Sequence, residues 1–222
     1  MTLLLRAIVA ADDAAAATDL GLETVTATVV AALASPWEGT LPAGEAELID
    51  HHRVVQTVFE RVPCLPARFG SLFPGEEALR MRLGERERDF ATQLARLGHR
   101  CELAITCAWR DSGAAAPIAI VQGTSGRAYL ERGVERTRED RKRERRAEEI
   151  VAQLLGELAA DPASIRHRTC PRPAVAVSMS ALVTRDEIEA INSRLERLGA
   201  RLPDVTIVVQ GPWAPYTFAV SE

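Results

Sequence analysis

A chain of 222 residues with 47% hydrophobic and 26% charged side chains can offset the entropy of ordering itself, which excludes wholesale disorder and leaves room for one large domain or two small ones. A net charge of −4 supplies no basic field, so nucleic acid is not an expected partner. No stretch approaches the roughly 20 apolar residues that span a bilayer. The opening "MTLLLRAIVAADD" is too short and too charged for a signal-peptide core, and Cys64, Cys101, Cys107 and Cys170 form no C-x-x-C pair; a soluble cytoplasmic protein with reduced thiols is expected.

Taken in chain order, "LLLRAIVA" (3–10) is a short apolar run that suits a buried strand, and the β-branched "TVTATVVAAL" (24–33) predicts a second. "SPWEGTLPAG" (35–44) carries two prolines and two glycines and reads as loop. Over 45–61 the residues Leu48, Ile49, His52, Val55, Val58 and Phe59 recur at helical spacing. "VPCLPARFGSLFPG" (62–75) is strand-like but broken by Pro63, Pro66 and Pro74, which assigns it to a sheet edge. A second helix is expected over 76–97, and "CELAITCAW" (101–109) puts Cys101, Leu103, Ile105, Cys107 and Trp109 on one strand face. The order β-β-α-β-α-β implies one sheet covered by helices.

"DSGAAAP" (111–117) lacks periodicity and reads as a linker. The helix predicted over 125–160 has, within 131–149, eight basic and seven acidic side chains against four uncharged ones. Such a face is solvated and supported by pairs such as Glu139 with Arg143 and Glu135 with Arg138. Ile150, Val151, Leu154, Leu155 and Leu158 then restore an apolar stripe for docking on a core. Strand-like runs at 165–169 and 174–183, an amphipathic helix over 185–200 and the strand "DVTIVVQ" complete an α-β-β-α-β half. The expected fold is α+β: two small domains of ferredoxin-like type, each a mostly antiparallel sheet covered by helices. Their limits are read as 1–110 and 125–222, joined by a linker at 111–124, with the long charged helix and the tail in the second domain.

No Rossmann, Walker, nucleophile-elbow or zincin motif is present in the sequence. His51 and His52 lie about 100° apart around a helix and do not converge on one metal ion. The bland expectation is one half-buried and one solvated histidine. Cys101 and Cys107 sit on an apolar face, where cysteine behaves as a small hydrophobe. No catalytic residue, cofactor or metal site is therefore expected. Arg68 is different: it stands among apolar neighbours, beside Phe69 and Gly70, and a buried arginine needs a partner. An internal ion pair with Glu60 or Glu76 is favoured over ligand binding, so that Arg68→Ala lowers stability.

The terminal "GPWAPYTFAV" (211–220) carries Trp213, Tyr216 and Phe218, three of the ten aromatics in the chain. With Pro212 and Pro215 it suggests a polyproline II stretch, in which Trp213 and Tyr216 share one edge about 9 Å apart. Two readings stay open, a clasp that pins the terminal strand to the first domain and an aromatic platform for a partner. The clasp is favoured, with roughly 3 to 5 kcal/mol lost in Trp213→Ala.

"HHRVVQTVFERVPCLPARFGSLF" (51–73), "SGRAYLERG" (125–133) and "GPWAPYTF" (211–218) together resemble the gas vesicle protein F/L family, in order and spacing, over nearly the whole chain. The terminal block is the most specific. It departs in having Ala214 where the family commonly has proline, and Thr217 where it has serine. The resemblance implies a two-domain α+β, non-enzymatic accessory protein for gas vesicle assembly, found in the cytoplasm or at the vesicle. It would engage the small hydrophobic shell protein and other accessory proteins, and Arg68, Phe69, Trp213, Tyr216 and Phe218 are the candidate partner-binding or structural residues. The alternative is an enzyme or small-ligand sensor using a cleft between paired ferredoxin-like domains.

Overall fold

In the computed structural model of the chain, the run Leu3 to Val9 is buried at every position within β1 (Thr2–Ala10). A strand covered on both faces must be apolar throughout, which is why its sequence does not alternate. The structure describes residues 1–38, 44–110, 126–159 and 161–219, and for 126–137 and 171 the backbone only. The linker expected at 111–124 lies outside the described residues. By their contacts the residues form two units, Met1–Glu102 with Pro212–Glu222, and Leu103–Gly211.

In the first unit β1 pairs with β3 (Val30–Trp37), which carries β2 (Glu23–Thr26) on its far side. The other edge of β1 takes two short antiparallel pieces, β4 (Leu65–Pro66) and β5 (Leu72–Phe73). These pieces are one edge strand interrupted by a turn, as the prolines of 62–75 implied. The single strand expected over 24–33 is instead a hairpin, closed where the Ala27 amide donates to the Val30 carbonyl at 2.9 Å. Residues 35–37, expected as loop, extend β3. Pro36 is tolerated there because β2 reaches only to Ala34, so its missing N–H faces no neighbour on that side.

A 3-10 stretch (Ala11–Leu20) joins β1 to β2, and α1 (Glu45–Arg61) joins β3 to the edge strand. The order β2-β3-β1-β4 is that of a split βαβ sheet with the first helix reduced to 3-10 turns. Buried α1 residues are His51, Val55, Val58 and Phe59, whereas Leu48 and Ile49, expected on the apolar face, are exposed. The helix expected over 76–97 is broken into α2 (Glu76–Glu85) and α3 (Glu87–Leu97) at Arg86. Gly84 has low helix propensity, and no atom lies within 4 Å of where its Cβ would stand, so packing does not compensate.

The second unit holds the sheet β7-β8-β6-β9, built from β6 (Cys101–Trp109), β7 (Ile165–Arg172), β8 (Val175–Val183) and β9 (Val205–Trp213). With α4 (Gly126–Leu158) and α5 (Ile188–Arg201) the order is again split βαβ, now with both helices. Both sheets are thus of ferredoxin-like type and the chain is an α+β protein. β6, expected in the first sheet, pairs between β8 and β9. Residues 103–110 accordingly group with the second unit and 212–222 with the first. In α4, Ala147, Ile150, Val151, Leu154 and Leu158 are buried, and residues 138–145 are exposed. Among the described residues Glu139 and Arg143 form no ion pair; Arg146 instead grips Asp204 at 2.7 and 3.0 Å, and Glu149 at 2.8 Å. Glu135 lies among the side chains not described.

Candidate partner-binding site

Arg6 is the extra residue of a β-bulge, since the pairing steps from Leu5 with Ala34 to Ala7 with Leu33. Bulges re-aim side chains and free backbone groups. The Leu5 amide donates to the Ser71 carbonyl at 3.0 Å, and the Arg6 carbonyl accepts from the Ala67 amide at 2.9 Å. His51 Nε2 donates to the Ala67 carbonyl at 2.9 Å. The loop of Arg68 and Phe69 is therefore held at both ends by β1 and from the side by α1.

Within that loop the Ser71 amide and hydroxyl both donate to the Arg68 carbonyl, at 3.2 and 2.8 Å. Gly70 has φ 89°, the left-handed value that the third position of a type II turn requires. The turn sends Arg68 and Phe69 into different surroundings. Phe69 meets Trp37 and His51 edge-on, with ring centroids 5.9 and 5.4 Å apart. Arg68 is exposed and makes no ion pair among the described residues, contrary to the internal pair expected with Glu60 or Glu76. Glu60 accepts from Gln56 and Glu76 from Arg80 instead, both on their own helices. The turn presents Arg68 outward because the loop's inward position is filled by Phe69.

The buried arginine is Arg6, 7% exposed. Its Nε donates to Ser35 Oγ at 2.9 Å and its Nη2 to Asp50 Oδ2 at 3.3 Å. Asp50 also accepts from Arg53 at 2.7 Å; that bond, together with the Arg6 charge, holds its carboxyl below the usual carboxylate range. Burial lowers the His51 pKa, and the Nε2 donation fixes the neutral tautomer with Nδ1 bare. His51 is buried and His52 half-buried, a step more enclosed than the expected pair. The signal for Arg6 was the lone charge inside "LLLRAIVA".

The tail folds back on the same unit. Gln56 clamps it, donating to the Pro212 carbonyl and accepting from the Ala214 amide, both at 3.1 Å. A proline at 214 would lack that donor. Glu102, 7% exposed, accepts from the Thr217 amide at 2.8 Å and hydroxyl at 2.6 Å. Arg96 donates to the Phe218 carbonyl at 2.7 Å. The amides of Phe218 and Ala219 both turn back to the Pro215 carbonyl. Polyproline II has no internal hydrogen bonds, so the expected extended stretch is replaced by a turn. Trp213 and Tyr216, both half-buried, meet His52 at 5.2 and 6.0 Å, while Phe218 is 4% exposed. Burial pushes the Tyr216 phenol up.

Between loop, tail and helices lies a cavity of about 260 Å³. Apolar walls come from Leu65, Phe73, Leu79, Leu83 and Phe90, with the Tyr216 ring beside them, and among the described residues Arg68, Arg82 and Arg86 bring the only charges in its lining. The break between α2 and α3 puts Arg86 there, its guanidinium carbon 5.4 Å from the Phe90 ring centre. Of the five expected site residues, the structure brings Arg68 and Tyr216 to this cavity, places Phe69 and Phe218 in packing positions, and sets Trp213 against α1. Arg82 and Arg86 escaped sequence reading because their spacing looks like a solvated helix face.

Burial pushes the thiols of Cys64 and Cys107 up to about 12, so both stay protonated at neutral pH. Among the described residues, no group of three His, Cys, Asp or Glu side chains is placed to hold a metal ion, and no helix is long and apolar enough to cross a membrane.

Comparison with known proteins matches residues 7–220 to the family profile "Gas vesicle synthesis protein GvpL/GvpF". Gas vesicle protein L of Streptomyces sp. (strain CB03234) is 29% identical over 181 residues, covering 76% of this chain and 67% of that protein. The crystal structure of gas vesicle protein GvpF from Anabaena sp. PCC7120 superposes with a TM-score of 0.79 at 19% identity, covering 100% of this chain and 97% of that one. GvpF from Microcystis aeruginosa gives 0.72 at 17% identity, with 99% of each chain covered. At those identities the two structures establish the fold.

Proposed function

This chain belongs to the GvpL/GvpF family of gas vesicle synthesis proteins, and from that premise we propose that it is a non-enzymatic accessory protein of vesicle assembly that binds the hydrophobic shell protein and other vesicle proteins. The observation that carries the reading is the family match over residues 7–220, which takes in the turn at Arg68 and the terminal clamp alike. The chemistry of the first unit supports it. A shell subunit awaiting assembly needs its apolar surface covered by a partner, and partners do this with apolar pockets rimmed by polar groups. The cavity walled by Leu79, Leu83 and Phe90 and rimmed by arginines has that character. The exposed charges of α4 over 138–145 offer a second surface for steering partners.

The test is retention of the co-expressed shell protein on the immobilised chain at moderate salt. Retention is expected, together with at least one other vesicle protein. Recovery of no vesicle component contradicts the proposal.

A further inference from the structure

Building on the proposed partner-binding role, we infer that the cavity of the first unit takes an acidic amphipathic peptide segment, seating one aliphatic or aromatic side chain inside while a neighbouring carboxylate pairs with Arg68, Arg82 or Arg86. Size and charge decide the occupant. Small-molecule sites run from about 300 to 1,000 Å³, and about 150 Å³ already holds a benzene-sized group. At about 260 Å³ the cavity fits a Leu or Phe side chain with part of its backbone and is too small for a dinucleotide or similar cofactor.

Charge complementarity sets the sign of the rim. Among the described residues the lining holds three arginines and no carboxylate. Arg68 has no ion-pair partner among the described residues. Arg82 and Arg86 meet Glu85 and Asp89 only at 3.4 Å, on the solvent side, as i,i+3 pairs. Both carboxylates are exposed to solvent and pairs of that length are weak, so the guanidiniums keep donors for an incoming carboxylate, which they bind in charge-assisted bonds. The site is held firm from behind. The Gly70 turn fixes Arg68, the helix break fixes Arg86, and Arg96 ties down the tail that brings Tyr216 to the wall.

The experiment uses the full chain and three fluorescein-labelled twelve-residue peptides with identical leucine positions, whose polar positions are all Glu, all Gln or all Lys. Binding is read by fluorescence anisotropy, with decanoate as a competing small amphiphile. The Glu peptide should bind about tenfold or more tightly than the Gln peptide, and the Lys peptide least. The double variant Arg68→Gln with Arg82→Gln, at two exposed positions, should erase the preference for Glu. Arg88→Gln, on α3 but outside the cavity lining, should leave it intact and so control for net charge. Equal binding of the Glu and Gln peptides, an unchanged preference in the double variant, or binding of decanoate with no Glu peptide bound would each overturn the proposal. If the unaltered chain retains the shell protein but does not distinguish the Glu peptide from the Gln peptide, only the cavity assignment falls; loss of shell-protein retention by the unaltered chain removes the broader function.

Discussion

Arg6 and His51 place two ionisable groups inside the first unit, 7% and 2% exposed. Arg6 is held by hydrogen bonds to Asp50 and Ser35. His51 is held neutral, its pKa depressed below 6.5 chiefly by burial. An unfolded chain takes up this proton near pH 6.5 while the folded chain resists it. The stability from neutral His51 is therefore complete above pH 6.5 and declines as pH falls from there through the folded value. Urea midpoints should drop between about pH 7 and 5, and His51→Gln should flatten that slope; an unchanged slope in the variant assigns it elsewhere. At the tail, Phe218 is 4% exposed and Trp213 only half-buried. Phe218→Ala should cost roughly 3 to 5 kcal/mol and Trp213→Ala about half as much, reversing the weight first placed on the tryptophan. Equilibrium denaturation of both variants checks the order.

At the scale of elements, the legible parts of the sequence were those with one unambiguous period. Spacing gave α1 as Glu45–Arg61 and β6 as Cys101–Trp109 at their observed bounds. Where two elements share one period, the join was hidden: β2 and β3 read as one strand, α2 and α3 as one helix. What the turn at Gly70 does to Arg68 and Phe69 was not legible, because turn geometry decides which neighbour faces in. Gly70→Ala forces an alanine to φ 89° and should cost about 1 to 2 kcal/mol. In the second unit the Thr184 hydroxyl and amide both bond the Glu187 carboxylate in a capping box that starts the α5 segment. Thr184→Ala should cost about 1 kcal/mol. Thermal unfolding of the two variants measures both losses, and a neutral Gly70→Ala would contradict the turn assignment.

Over the whole molecule, the class of fold was readable because strand and helix signals alternate in both halves, β-β-α-β-α-β in the first and α-β-β-α-β in the second. Sheet membership was not. Period-two burial says that Cys101, Leu103, Ile105 and Cys107 share a face, but nothing local says which sheet that face completes. The candidate site was half legible: Arg68 and the tail aromatics stood out against their neighbours, whereas Arg82 and Arg86 were camouflaged among the charges of "GEEALRMRLGERERDF" and became site residues only when the helix broke. As a binding partner of the shell protein, this chain should be required for vesicle assembly. Flotation of cells lacking its gene, with shell-protein expression verified, is the decisive measurement. Such cells should sink while the shell protein is still made, and the unaltered gene should restore buoyancy; cells that float normally without the chain would overturn the requirement.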